Sequence, residues 1–251
     1  MILMPAALAA RAEALGQAYV GSLTLGAGQF CTNPGVVLGV KGPDLDTFAS
    51  SAAAALANAQ PQVMLTSGIH GAYEKGVADL SNHPRVEEIG RGVEGTSCNA
   101  GRAAIFAADA ADFLANPELA EEVFGAASLV VRCDDLAQVA EVVGSMEGQL
   151  TATLHLDEAD HGAARPLVPV LERKAGRILA NGWPTGVEVS YAMVHGGQFP
   201  ATSDPRATSV GAAAIERFLR PVCYQELPEA LLPKAVRSDN PLGLPRFVNA
   251  N

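Results

Sequence analysis

The sequence predicts an α/β domain in which helices flank a mostly parallel sheet. Apolar residues recur every three or four positions from Leu8 to Leu23, as on the buried face of a helix. Short aliphatic runs, such as the one over residues 36–40, have the length and residue types of buried strands. The two patterns alternate along most of the 251 residues. Such alternation is typical of parallel strands that are connected by crossover helices.

Each predicted element follows from a local pattern. The first helix begins at Pro5, a residue favoured in the first turn, and ends near Gly26 and Gly28. Further helices are predicted where apolar residues keep a helical spacing, over residues 45–59, 67–80, 136–146 and 167–175. Strands are predicted at aliphatic runs over residues 36–40, 103–106, 128–131, 150–156 and 177–180. Short helical or turn segments are predicted between two of these strands, over residues 110–116 and 117–122.

One connection is unusually long for a single domain. Residues 182–205 contain four glycines and three prolines and show no helix or strand pattern. Loops of that length inside a compact domain are usually functional. We therefore expect this loop to lie near the functional site.

Charge and cysteine content exclude several classes of function. The net charge is −10 and no run of lysines or arginines exists, so the sequence predicts neither a nucleic-acid partner nor a membrane-surface partner. Residues 14–40 carry no charge but hold six glycines, which favours chain buried in protein over a membrane span. The four cysteines contain no CxxC pair, so no metal site is predicted. Widely spaced single thiols favour a cytoplasmic protein.

Cys31 is the candidate nucleophile. It lies in the glycine-rich segment GAGQFCTNPG, between the first helix and the first predicted strand. Glycines permit the positive φ angles of a sharp turn, which can hold a sulfur in a cleft and leave backbone N–H groups free for an oxyanion. The alternative is a buried cysteine that packs as a small hydrophobic residue. The spacing alone leaves both interpretations open.

The histidines give a second set of candidates. His195 precedes two glycines and could act as the base of a Cys–His enzyme. His155 and His161, in the segment HLDEADH, have a spacing that matches no common zinc motif. The acidic residues between them are predicted to cap a helix N-terminus, and these are Asp157, Glu158 and Asp160.

Several motifs resemble those of the aldehyde dehydrogenase superfamily. GQFC at residues 28–31 resembles its Gly-Gln-x-Cys motif, and EVFG at residues 122–125 resembles its Glu-x-Phe-Gly-Pro signature, with Ala126 where proline is usual. GRILANG at residues 176–182 resembles the strand that leads into the substrate-binding loop. The segments FCTNPG, NGWPTGVEV and HGGQFPATSD are most similar to the members that oxidise 2,5-dioxovalerate. The resemblance spans nearly the whole chain. It implies that superfamily's catalytic-domain fold over residues 1–216, followed by an oligomerisation strand and C-terminal tail over residues 217–251.

The resemblance implies a mechanism for Cys31. Its thiolate would attack the aldehyde carbon, with the Cys31 peptide N–H as one oxyanion donor. Hydride would pass to NADP or NAD, and water would hydrolyse the resulting thioester, converting 2,5-dioxovalerate to 2-oxoglutarate. Glu122 would hold the ribose beside the nicotinamide, and Phe124 would pack next to it.

Substrate-binding residues follow from the same resemblance. Phe30 and Thr32 flank the nucleophile and would line the aldehyde tunnel, and the loop around Thr185 and Val187 would close its far side. Without the cysteine motif, Glu121 and Glu122 would be interpreted as a solvated helix end and Phe124 as a core residue.

The resemblance also implies that part of the enzyme is absent from this chain. The superfamily places its nucleotide-binding domain, a general-base glutamate and a second oxyanion donor before the nucleophile, whereas Cys31 is close to Met1. No GxGxxG motif follows an opening strand. The chain is therefore predicted to be the C-terminal catalytic half of such an enzyme, through a truncated reading frame, proteolysis or a split gene. We expect it to have little activity alone.

An incomplete chain is also expected to associate. The apolar face of the first helix and the surface around Phe124 would be bare, which favours a homo-oligomer or binding to the missing N-terminal half. Residues 217–227 are expected to form an oligomerisation strand. Two other functions remain open, namely a stand-alone Cys–His acyl-transfer enzyme using Cys31 and His195, and a non-catalytic assembly partner.

Overall fold

The computed structural model describes residues 1–247, and residues 248–251 of the predicted C-terminal segment lie outside the described residues. The chain divides into two units, Met1–Ala214 and Ile215–Asn251. This division falls two residues before the boundary expected from the sequence.

The first unit is built on a mostly parallel sheet, as predicted. The strands are β1 (Ile2–Leu3), β2 (Val36–Val40), β3 (Gln62–Val63), β4 (Glu87–Arg91), β5 (Ala100–Gly101), β6 (Ala104–Asp109), β7 (Ala127–Cys133), β8 (Gln149–His155) and β9 (Ala175–Ala180). Seven of them form one sheet in the order β4-β6-β7-β2-β1-β8-β9. All neighbours in this sheet are parallel except β4, which pairs antiparallel with β6.

Helices cover both faces of this sheet. They are α1 (Pro5–Thr24), α2 (Pro43–Leu56), α3 (Ser67–Asn82), α4 (Ala110–Ala115), α5 (Leu136–Ser145), α6 (His161–Ala164) and α7 (Val168–Glu172). Alternate residues of β6 show the two layers, since Ile105 packs in the cluster formed with α1 and α2 while Phe106 packs with α3, α4, α5 and α7. Successive side chains of a strand point to opposite faces of the sheet, so β6 contributes to a separate hydrophobic core on each face.

The apolar face of α1 is buried, which corrects the expectation of a bare surface there. Leu8, Leu15 and Tyr19 are each at most 5% exposed, and they pack in one cluster with Phe48 of α2. Gly16 allows this approach, because a Cβ on it would lie 2.6 Å from the carbonyl oxygen of Phe48. The helix therefore finds its partner within this chain.

Two strands of the sheet have no clear sequence signal. β1 has only two residues, yet it lies in the sheet interior between β2 and β8. β4 has the sequence EEIGR and forms an edge, where polar side chains meet water. The predicted helices and strands are otherwise present, with ends that shift by up to a few residues.

The second unit contains no strand among its described residues. Residues 217–227, expected to be a strand, begin in the 3-10 helix Ala212–Phe218 and continue as irregular chain. A strand is defined by its pairing, and Pro221 lacks the N–H that a ladder needs. As an oligomerisation strand, this segment would pair with the sheet of a neighbouring subunit. Its formation on assembly therefore stays a prediction.

Candidate active site

Cys31 lies in a turn that the end of α1 sets up. A 3-10 helix follows α1 over Leu25–Gly28, and Gly26, Ala27 and Gly28 all have left-handed φ angles of 56°, 60° and 67°. The peptide N–H of Asn33 then donates to the carbonyl oxygen of Phe30 at 3.0 Å, which closes a turn around Cys31. Glycine is needed at 28, because a Cβ there would lie 2.3 Å from the backbone nitrogen of Ala126.

Side-chain hydrogen bonds fix this turn to two other segments. Asn33 donates from Nδ2 to the carbonyl oxygen of Gly125 at 2.9 Å, beside the EVFG motif. Thr32 donates from Oγ1 to the carbonyl oxygen of Pro184 at 2.8 Å, in the long loop after β9. The three segments singled out by the resemblance are thus joined directly around Cys31.

A cleft of about 850 Å³ opens beside the turn. Five of the predicted site residues line it together, and these are Phe30, Cys31, Thr32, Glu122 and Phe124. Cys31 is exposed, so its sulfur is accessible to a ligand in the cleft. The interpretation of Cys31 as a buried hydrophobic residue is therefore wrong.

Glu122 and Phe124 are exposed at the cleft. The phenyl ring of Phe124 is 37% exposed, so the residue is not part of the core. Within the described residues, the Glu122 carboxylate makes no hydrogen bond or ion pair, which leaves it able to accept from hydroxyl groups of a ligand. These features fit a ribose and a flat ring, the parts of a nicotinamide nucleotide that the resemblance assigns to them.

Thr185 and Val187 have a different environment. Pro184 lines the cleft, but neither Thr185 nor Val187 does. The Thr185 hydroxyl is instead 2.8 Å from the hydroxyl of Ser22 on α1. Arg177 of β9 holds the loop from its other side by donating to the carbonyl oxygens of Pro184 at 2.7 Å and Gly186 at 3.0 Å. Substrate contact by Thr185 and Val187 stays a prediction.

His195 is brought to the nucleophile by the same long loop. Its Nε2 lies 3.2 Å from the Sγ of Cys31, although 164 residues separate the two. The sequence analysis proposed this pair only for the alternative Cys–His enzyme. The two glycines after His195 were the only local feature that drew attention to this histidine.

The histidines of HLDEADH have no place in the cleft. His155 is 2% exposed, and its ring centroid lies 4.7 Å from that of Trp183. Burial lowers the pKa of His155 to about 4, with smaller effects from the Met1 amino group and Arg11. Asp157 and Asp160 form a capping box on the 3-10 helix Glu158–Asp160, as predicted. The Asp160 carboxylate also caps α1, since it accepts from the N–H groups of Ala6 and Ala7 at 2.9 and 3.0 Å.

Comparison with known proteins agrees with the motif resemblance. Over 248 residues, 98% of its length, the chain is 59% identical to alpha-ketoglutaric semialdehyde dehydrogenase 2 of Azospirillum brasilense, of which it covers 47%. Over 250 residues, 99% of its length, it is 47% identical to alpha-ketoglutaric semialdehyde dehydrogenase of Acinetobacter baylyi, of which it covers 48%. The chain therefore spans about half the length of these curated relatives. No protein-family model matches it.

A solved structure shows the same fold. The Δ1-pyrroline-5-carboxylate dehydrogenase of Mycobacterium tuberculosis, bound with NAD, superposes with a TM-score of 0.65 at 17% identity, covering 80% of this chain and 37% of its own. The sheet, the cysteine turn and the two curated relatives lead to the same conclusion: over nearly its whole length the chain is similar to about half of an aldehyde dehydrogenase.

Proposed function

We propose that this chain carries the nucleophile of an enzyme that oxidises 2,5-dioxovalerate, also called α-ketoglutaric semialdehyde, to 2-oxoglutarate. The observation that carries the proposal is the cleft in which Cys31 meets Phe30, Thr32, Glu122 and Phe124. The substrate class comes from the names of the two curated relatives. The chain matches about half of each of these relatives.

Cys31 acts as the nucleophile in this proposal. Its sulfur attacks the aldehyde carbon and forms a thiohemiacetal, which becomes a thioester and is then hydrolysed by water. Cys31 is exposed, and no oxygen among the described residues accepts a hydrogen bond from its peptide N–H. That N–H is free to donate to the oxygen that becomes negative when sulfur adds to the carbonyl.

A nicotinamide nucleotide is the proposed cofactor, and when bound it would accept the hydride of the aldehyde carbon. Glu122 would accept hydrogen bonds from its ribose hydroxyls, and Phe124 would pack beside the ribose or the ring. The free carboxylate and the exposed phenyl ring support these roles. Comparing reduction of NADP with reduction of NAD in the assay below distinguishes the two cofactors.

We further propose that the chain turns over slowly by itself and needs a complementary polypeptide. The resemblance assigns the deacylating base and most of the nucleotide site to residues that this chain does not contain. Loss of a general base costs about two to four orders of magnitude in rate. Association, as a homo-oligomer or with the other half, is proposed on the same ground.

The test is an assay of 2,5-dioxovalerate oxidation that follows the reduced nicotinamide. The purified chain is measured alone and after addition of a polypeptide covering the part of the Azospirillum enzyme that it does not match. We expect little turnover alone, and a gain on mixing that Cys31→Ser abolishes and Cys98→Ser, a change at another exposed thiol, preserves. Full turnover by the chain alone would contradict the need for a second half, and turnover by Cys31→Ser would contradict the nucleophile.

A stand-alone acyl-transfer enzyme is the second candidate function. The distance of 3.2 Å between Cys31 and His195 favours it, since a thiol and an imidazole in contact form a nucleophile–base pair. Such an enzyme needs no nucleotide. Hydrolysis of an activated ester by the chain alone that is lost in Cys31→Ser, together with no aldehyde oxidation after mixing with the complementary polypeptide, would support this function over aldehyde oxidation.

A further inference from the structure

Cys31 and His195 are in contact although they belong to distant parts of the chain. The 3.2 Å separation of Sγ and Nε2 is within hydrogen-bond range for sulfur. Cys31 belongs to the turn before β2, and His195 to the long loop after β9. The contact therefore depends on how that loop packs.

The backbone of the loop holds His195 tightly. The His195 N–H donates to Oγ1 of Thr208 at 2.8 Å, and the His195 carbonyl oxygen accepts from the N–H and the hydroxyl of Ser209, both at 3.0 Å. The two following glycines lie directly on the sheet, since a Cβ on Gly197 would come within 2.3 Å of the carbonyl oxygen of Gln149. His195 is 9% exposed. The backbone that carries the imidazole is thus held beside the cysteine turn.

The surroundings of the ring favour its neutral form. Burial, together with the nearby positive charge of Arg177, lowers the pKa of His195 below its ordinary value. Its Nδ1 is buried and has no hydrogen-bond partner among the described residues. A neutral ring with its proton on Nδ1 presents an unprotonated Nε2 to the thiol.

We propose that His195 is a catalytic residue that removes the thiol proton of Cys31 through Nε2. The proposal rests on the proposed function of Cys31 and names the base that this chain itself supplies to it. The S–H bond breaks and its proton goes to Nε2, while a sulfur lone pair forms the bond to the aldehyde carbon. The carbonyl π pair moves onto oxygen, which leaves a thiohemiacetal anion beside an imidazolium. A free thiol with a pKa near 8.5 is mostly protonated at neutral pH, so an acceptor in contact with it lets the thiol attack while its proton is removed as the new bond forms.

Alkylation of Cys31 by iodoacetamide tests this step without aldehyde or nucleotide. The rate is followed across pH on the full chain by peptide mass mapping, with the exposed Cys98 as reference thiol in the same sample. We expect Cys31 in the unmodified chain to react at lower pH than Cys98. In His195→Gln the Cys31 rate at neutral pH should fall at least ~10-fold and its profile should move to higher pH, because the proton acceptor is gone.

His161→Gln, a change at an exposed histidine, is the matched control and should leave the profile unchanged. An unaltered Cys31 profile in folded His195→Gln would overturn the proposal. Identical profiles for Cys31 and Cys98 in the unmodified chain would overturn it as well, even if the variant fails to fold. Failure of the nucleophile proposal is seen separately, as aldehyde turnover that survives Cys31→Ser.

Discussion

Gly176 of β9 lies against the backbone of Gly196, so closely that a Cβ on Gly176 would come within 2.3 Å of the Gly196 carbonyl oxygen. Two glycines in different segments therefore allow backbone to pack on backbone. His195 immediately precedes this contact. The contact therefore holds the backbone next to the imidazole that touches Cys31.

Gly176→Ala should separate His195 from Cys31. The new methyl group must displace the loop, because its nearest neighbours are backbone atoms rather than a flexible side chain. We expect alkylation of Cys31 to slow as it does in His195→Gln. Gly162→Ala, where a Cβ meets nothing within 4 Å, is the control. Unchanged alkylation in Gly176→Ala would show that the loop position does not govern the thiol.

Gly28→Ala should destabilise the turn that carries Cys31. The position combines a φ of 67° with a clash of 2.3 Å against Ala126, so we expect a loss of at least ~2 kcal/mol in the free energy of unfolding. Gly21→Ala is the matched control, because Gly21 lies within α1 with open space around it. The change at Gly21 should raise the free energy of unfolding by about 0.5–1 kcal/mol. Denaturant unfolding measures both, and equal effects would contradict the geometry.

Asp160→Ala should weaken the start of α1. The buried carboxylate accepts from the N–H groups of Ala6, Ala7 and Asp157, and their loss leaves three donors without a partner. We expect the free energy of unfolding to fall by about 2 kcal/mol. Glu158→Ala, a change at an exposed acid two residues earlier, should stay within ~0.5 kcal/mol. A similar loss in both variants would indicate a general charge effect instead of a cap.

His155 should make the fold less stable in acid. Its pKa in the native chain is about 4, below the ordinary 6.5, so the unfolded chain binds more protons between these values. Stability is therefore full above pH ~6.5 and falls as the pH drops towards 4, by a maximum on the order of 3 kcal/mol.

Unfolding measured from neutral to acidic pH tests this dependence. His155→Gln should flatten the fall in stability, since it removes the group that gains a proton on unfolding. His161→Gln should retain it, since His161 is exposed. Equal slopes in His155→Gln and the unmodified chain would refute the assignment.

The sequence by itself determined most helices and strands and the position of Cys31. Apolar spacing reports helices and buried strands directly, because each element buries one face. The glycines around Cys31 predicted a sharp turn, and three successive left-handed residues form it. β1 was not predicted, because two residues are too few to show a periodicity. They form a strand only through pairing with β2 and β8.

Only the tertiary structure decided which distant residues meet. Asp160 caps α1 from 153 residues away, and His195 contacts Cys31 from 164 residues away. No periodic pattern in the sequence predicts either contact, because each depends on how a loop packs against the folded sheet. Local patterns fix which face of an element is buried, whereas packing of backbone on backbone fixes what is placed beside a reactive sulfur.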